Sequence, residues 1–211
     1  MIYPATLDIT ILQNSSFRAV FRALQKQESI SSFAVVSGSP LFTIPCHRLS
    51  AGDKVVVIPD GSTKAELPSK EPLPLPSVPC GLELNMIYFV MASGLTADSF
   101  TLSATSSGSA ITVENTALGS GMSIAKPVVL TDYTVDADIK GLIDDEHVAT
   151  FVGAIEDGVN GLASITMTPA VAQGIEPGRY AWDASLTSSA GERYYWLTGV
   201  ATVQRTYSRN T

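Results

Sequence analysis

Val135-Asp136-Ala137-Asp138-Ile139-Lys140 alternates apolar and charged side chains without a break. Successive strand residues face opposite ways, so Val135, Ala137 and Ile139 share one side and Asp136, Asp138 and Lys140 the other. One dry face and one wet face mark a half-buried antiparallel strand. The same signal repeats outward in both directions. Downstream, Phe151-Val152 and Ala163-Ser164-Ile165-Thr166-Met167 read as strands. Thr168-Pro169 has the form of an N-cap followed by proline, opening a short helical turn through Gln173. Arg179 to Leu186 and Tyr194 to Leu197 then flank the turn Ser188-Ser189-Ala190-Gly191 as an aromatic hairpin, which Val200 to Gln204 continues. Upstream, Leu7, Ile9 and Ile11 alternate with Asp8 and Thr10, and Asn14-Ser15-Ser16 signals a turn. Phe17 to Lys26 is open: Phe17, Val20, Phe21 and Leu24 fit a helix, while Phe17, Ala19, Phe21 and Ala23 fit a strand.

The middle of the chain is punctuated differently. Phe33-Ala34-Val35-Val36 is a short apolar run, and Met86 to Met91, Ser99 to Ala104 and Ala110 to Val113 form a hairpin-like series. Between them, Pro59, Pro68, Pro72, Pro74, Pro76 and Pro79 make 59–79 a long, stiff loop, since proline removes ladder donors and favours extended backbone. Pro76-Ser77-Val78-Pro79 matches PxxP, a pattern common in such loops. Gly119-Ser120-Gly121 lacks the Lys-Ser/Thr that a phosphate-binding loop requires.

Composition narrows the classes of function. Of 211 residues 45% are hydrophobic and 16% charged, against roughly 25% charged in an average domain. Ser and Thr number 43, as expected of a turn-rich β-protein. No run of 18 apolar residues is present, which predicts no membrane span and a soluble chain. The opening Met1 to Thr6 lacks a charged, then apolar, leader pattern, so no signal peptide is expected. Net charge is −7, and ten of the twenty acids fall between Asp132 and Asp183, opposed only by Lys140 and Arg179. Such a chain repels phosphates, and no nucleic-acid partner is expected. Cys46 and Cys80 read as two free thiols, because neither belongs to a CxxC pair and no leader sends the chain to an oxidising compartment. His47 and His147 do not complete a zinc set with them, since closely paired ligands are missing.

Chemistry-bearing constellations are scarce. No Gly-x-Ser-x-Gly places a nucleophile, and Asp144-Asp145-Glu146 before His147 reads as a solvated turn without calcium-loop spacing. Asp136 and Asp138 lie about 7 Å apart on one strand face, a weak signal that any exposed face produces. No catalytic residue, metal or cofactor is therefore expected. The remaining candidates are Tyr180, Trp182, Tyr194 and Trp196. Core packing is the default for such residues, and an interface centre is the functional reading, because Tyr and Trp are favoured there.

Certain motifs resemble those of a known group. Tyr3 to Phe17, YPATLDITILQNSSF, resembles the opening of small virion structural proteins of tailed bacteriophages, related to the N-terminal domain of upper baseplate proteins. That opening carries a glycine where this chain has Asn14. Val129-Leu130-Thr131-Asp132-Tyr133-Thr134-Val135 is similar to a second stretch of the group, with Asp132 in place of glycine. Gly178 to Thr187, Gly191 and Gly199 to Val203 resemble its closing hairpin. Cys46 to Val55, with Tyr88-Phe89-Val90 and Phe100 to Ala104, resembles an HGLxxGDxV-type β-module found in phage structural proteins, with Arg48 replacing a glycine.

The resemblance makes Phe17 to Leu24 a strand. It implies an all-β fold: an Ig-like or baseplate-type antiparallel β-sandwich from 1–40 and 125–205, interrupted by a small β-domain at 41–124, with 206–211 as a tail. It further implies a non-enzymatic virion component of tail, baseplate or fibre anchor, partnered by other virion proteins and by its own copies, as a trimer for preference. A capsid cement protein is the close alternative. A carbohydrate-binding module using Tyr194, Trp196 or Trp182 as a platform is the rival from another class.

Overall fold

The computed structural model describes residues 5–25, 28–29, 32–36, 39–59, 81–112 and 122–206. Strands β1 (Ala5–Thr6), β2 (Ile9–Leu12) and β3 (Phe17–Arg22) come first. Next are β4 (Glu28–Ser29), β5 (Ser32–Val36), β6 (Ser39–Thr43), β7 (Lys54–Pro59), β8 (Ile87–Val90), β9 (Ser99–Phe100), β10 (Leu102–Ser103) and β11 (Met122–Ala125). The last five are β12 (Thr134–Lys140), β13 (His147–Asp157), β14 (Leu162–Met167), β15 (Gly178–Thr187) and β16 (Arg193–Gln204). Among the described residues, helix is confined to a 3-10 turn at Gly158–Asn160 and to α1, Pro169–Gln173. The fold is all-β and sandwich-like.

The described residues divide into two compact units, 5–23 with 128–206, and 24–127. The expected boundaries at 40/41 and 124/125 both move. β4 pairs with β11, and β5 and β6 pair with each other and with β9, so 24–40 belong to the inserted unit. At the far side β11 extends a ladder on β7, which carries the insert through Pro127.

In the first unit one sheet runs β1-β16-β15-β12-β13-β14-β3, with β2 also on β16. At about 4.8 Å per strand, four steps from β15 to β3 would separate them by roughly 19 Å in a flat sheet. Instead the ring of Phe21 on β3 lies 6.4 Å from that of Trp182 on β15, and 5.7 Å from that of Trp196 on β16. The sheet therefore folds over on itself. Its geometry requires this, because β2 and β3 sit at opposite ends of the strand order yet are joined by Gln13 to Ser16 alone. The dry faces meet inside: Ile11, Val135, Ala137, Ile139, Phe151, Ile165, Trp182 and Leu186 all belong to one core. β3 is a strand, with the two-residue exposure pattern that rules out the helical spacing.

Two features depart from an antiparallel alternation. β1 and β2 run parallel to β16. The carboxylate of Asp8 fills the interruption between them by accepting the Val200 N–H at 2.9 Å. Gly199 makes the approach possible, since a Cβ there would stand 1.9 Å from the Leu7 carbonyl oxygen. The second departure is a bulge: Ala184 faces Leu197 and Ser185 faces Tyr195, leaving Trp196 as an extra residue. A bulge resets the alternation, so the consecutive Trp196 and Leu197 are both buried.

The inserted unit holds a five-stranded sheet, β10-β8-β7-β11-β4, and a three-stranded one, β5-β6-β9. Ser99 to Ala104, read as one strand, is split at Thr101: Phe100 pairs with β6 and Leu102 with β8. Phe42 and Phe100 stack at 5.4 Å in its core. Val55 to Ile58 are buried on both faces of β7. The proline-rich loop beyond Pro59, Cys80, Gly119 to Gly121 and the tail from Tyr207 lie outside the described residues.

Candidate functional site

Trp182 and Trp196 are core residues, as the default reading has it, and this removes them as candidate interface centres. Trp182 is buried, packs edge-on against Phe151, and donates its Nε1–H to the Leu7 carbonyl at 2.8 Å. Trp196 is buried edge-on against Phe21. Neither can serve as a sugar platform. Tyr180 is half-buried against the same core and donates its hydroxyl to the Glu176 carbonyl at 2.8 Å. Tyr194, also half-buried, gives its phenol proton to the Glu192 carboxylate. That hydrogen bond foremost, then burial and the Glu192 charge, raises the Tyr194 pKa.

The aromatic residue that does face outward is Tyr195, with 56% of its surface exposed. A two-residue period puts it opposite Tyr194 and Trp196, so it faces out because Trp196 faces in; the bulge breaks the phase only at Leu197. Arg193 lies over its ring at 5.6 Å and also donates Nε–H to the buried Ser185 hydroxyl at 2.7 Å. An Arg stacked on an exposed Tyr combines two residue types enriched at binding hot spots.

Tyr195 belongs to the wet face of the folded sheet. β12 contributes Asp136, Asp138 and Lys140, as the alternation predicts. Asp138 stands directly opposite Asp183 on β15, a like-charge pair that must be compensated. Lys140 does so from one side, its Nζ 3.1 Å from Asp183 Oδ2. That hydrogen bond, and then the Asp183 charge, raises the Lys140 pKa. From the other side Thr150 donates its hydroxyl to Asp138 at 2.7 Å and lies 2.9 Å from His147 Nε2. With its proton committed to Asp138, Thr150 accepts from His147 Nε2–H. The Asp136 carboxylate is reached by the Thr187 hydroxyl at 3.4 Å. Among the described residues no three His, Cys, Asp or Glu side chains converge in a way that could hold a metal ion.

In the inserted unit the stretch from Cys46 to Val55 explains its own residue choice. His47 is buried; its Nδ1 accepts the Leu49 N–H at 2.9 Å, which leaves Nε2–H to donate to the Ser99 carbonyl at 3.2 Å. Asp53 closes the turn by accepting the Ser50 N–H at 2.6 Å and an ion pair from Lys126 at 2.5 Å. Both histidine nitrogens are spent on the backbone, so this loop holds structure. Cys46 beside it is exposed.

The arrangement suits recognition by surface contact: an open polar sheet face, one aromatic-cationic pair, and an acidic hairpin tip beyond Lys140. No helix among the described residues is long and apolar enough to cross a membrane. No protein-family model matches this chain, and no curated protein matches it either.

Proposed function

We propose that this chain is a non-enzymatic structural component of a tailed-phage virion, placed in the tail, baseplate or fibre anchor and acting through assembly with other virion proteins and with its own copies. The observation that carries the reading is in the backbone. Asn14, Arg48 and Asp132 replace glycines of the phage motifs, and they adopt φ of 59°, 54° and 67°. Only six non-glycine residues among those described have positive φ, and these are three of them. Left-handed backbone is costly for a residue with a Cβ. A chain that tolerates that cost where the motifs hold glycine is built on the same turns, which supports kinship with those proteins. The assembly role draws support from the exposed Arg193–Tyr195 pair and from the low charge, since interface centres are depleted of charged residues.

The test is peptide mass spectrometry of purified particles of the virus encoding the chain. Copy numbers in the tens support the tail position. Copy numbers in the hundreds would move the protein to a capsid cement role, and absence from the particle would refute the virion reading.

A further inference from the structure

Asn160-Gly161 is the one Asn-Gly pair in the sequence, and such a pair carries a chemical hazard. Because glycine has no side chain, its backbone nitrogen can reach the preceding asparagine Cγ and close a five-membered succinimide ring. The fold cannot dispense with this glycine. Gly161 is buried at φ 72°, and a Cβ there would stand 2.6 Å from the Val128 carbonyl oxygen and 2.9 Å from that of Ala23. Its own carbonyl accepts the Ala23 N–H at 2.8 Å, just past the end of β3.

The hazard is met by holding the asparagine. Asn160 closes the 3-10 turn Gly158–Asn160, for which Asp157 is the N-cap. Asp157 Oδ1 accepts the Asn160 N–H at 3.2 Å, and its Oδ2 accepts from Asn160 Nδ2 at 2.6 Å. An N-cap needs only the first of these bonds; the second clamps the reactive amide itself. The Asn160 carbonyl accepts from Arg22 Nη1 at 2.6 Å, and the Gly161 N–H donates to the Gly158 carbonyl at 3.4 Å. The amide under attack and the attacking nitrogen are thus both engaged elsewhere while the turn is closed. Asn160 is half-buried, so solvent reaches it once the turn opens.

We propose that Asn160 is a latent site of spontaneous deamidation, latched by Asp157 and open to reaction only when this turn unfolds locally. In the open turn the Gly161 nitrogen gives up its proton and bonds to Asn160 Cγ. The bond from Cγ to Nδ2 breaks, and ammonia leaves with that proton. Water then opens the succinimide at either carbonyl, which leaves aspartate or isoaspartate at position 160. The product cannot close the turn as before. A carboxylate oxygen takes the place of the Nδ2 donor beside Asp157 Oδ2, so two acceptors of like charge face each other. Isoaspartate also lengthens the backbone and draws Gly161 from its slot. Arg22 and Ala23 lose their partners in the turn, and the Leu162–Arg22 end of the β14–β3 ladder loosens with them. A passing local opening becomes a permanent covalent mark.

The test holds the full chain at neutral pH and physiological temperature and follows the tryptic peptide 141–179, whose single asparagine is Asn160. Mass spectrometry reads the replacement of NH2 by OH. Native wild type should convert far more slowly than the same chain in urea. Asp157→Ala should raise the native rate roughly five- to tenfold, the gain in opening when a cap is lost. Asp157→Ser keeps an acceptor for the Asn160 N–H but gives up the amide clamp, so it too should exceed wild type, and it stands in should the alanine variant misfold. Val203→Ala, a core loss on β16 outside the turn, should leave the rate at the wild-type value. Native conversion as fast as in urea, no rise in either Asp157 variant, or an equal rise in Val203→Ala would each overturn the latch. Asn160→Asp carries the product side chain from the start and should melt below wild type; equal melting would overturn the loosening.

Discussion

Arg48 holds φ 54° in an exposed turn, where its Cβ is strained. The left-handed penalty is about 1 kcal/mol, partly offset because glycine adds entropy to the unfolded chain. Arg48→Gly should therefore raise stability by about 0.5 kcal/mol, seen as a rise of about 1–2 °C in melting temperature; a fall would contradict the backbone assignment. His47 beside it is the opposite case, a buried ring with both nitrogens engaged. His47→Ala should cost about 2–4 kcal/mol in chemical denaturation, from lost packing and two orphaned backbone groups. Trp182→Phe removes the donor to the Leu7 carbonyl and should cost about 2 kcal/mol without touching any binding surface. The motif around His47 was legible in the sequence as a pattern, but not its purpose. Only the coordinates show that its imidazole serves the backbone, because Ser99 is far away in the chain and its carbonyl leaves no mark in the sequence.

Among the elements, the N-terminal strands and β16 depend on one another through a single missing side chain. Gly199→Ala would drive a Cβ into the Leu7 carbonyl at 1.9 Å. We predict that it frees β1 and β2, raising amide exchange across residues 7–12 while β12 to β15 stay protected. Equal exchange in variant and wild type would show that the strands do not need this approach. Lys140 and Asp183 tie β12 to β15. The folded Lys140 pKa is raised above its unfolded value, so its contribution is complete below the unfolded pKa and disappears as pH climbs through the folded one. The melting-temperature gap between wild type and Lys140→Met should thus be constant near neutrality and shrink above about pH 10. Most strands could be read from alternation, as could the Thr168-Pro169 helix start. The bulge at Trp196 could not, because an unpaired residue is defined by the partner strand and not by its own neighbours.

At the scale of the molecule the insert leaves and returns at one point of the first unit. The Val128 N–H donates to the Ala23 carbonyl at 2.8 Å, and the Ala23 N–H to the Gly161 carbonyl at 2.8 Å. Ends already hydrogen-bonded can be joined by a short turn. Replacing 24–127 with two to four Gly/Asn residues should leave a cooperatively unfolding all-β protein; a molten or aggregated product would show that the first unit needs its insert. β3 pairs with β14 from some 140 residues away in the chain, so folding of the intact chain should be slow and should quicken in the shortened one, where that loop is closed.

While β4, β6, β7 and β11 of the insert went unread, the sequence by itself determined most strands of the first unit, the dry and wet faces of β12, the main turn positions and the all-β class. These are local consequences of a two-residue period and of residues that tolerate left-handed backbone. What only the tertiary structure decided is where the sheet folds over, that β1 and β2 run parallel to β16, that the insert begins at Leu24, and which aromatic residue faces outward. Each depends on a partner distant in the chain. Trp182 and Trp196 read by default as core, and Phe21 and Phe151 packed against them make them so. Tyr195 stands in solvent opposite the buried Trp196, and the bulge then turns Leu197 inward as well.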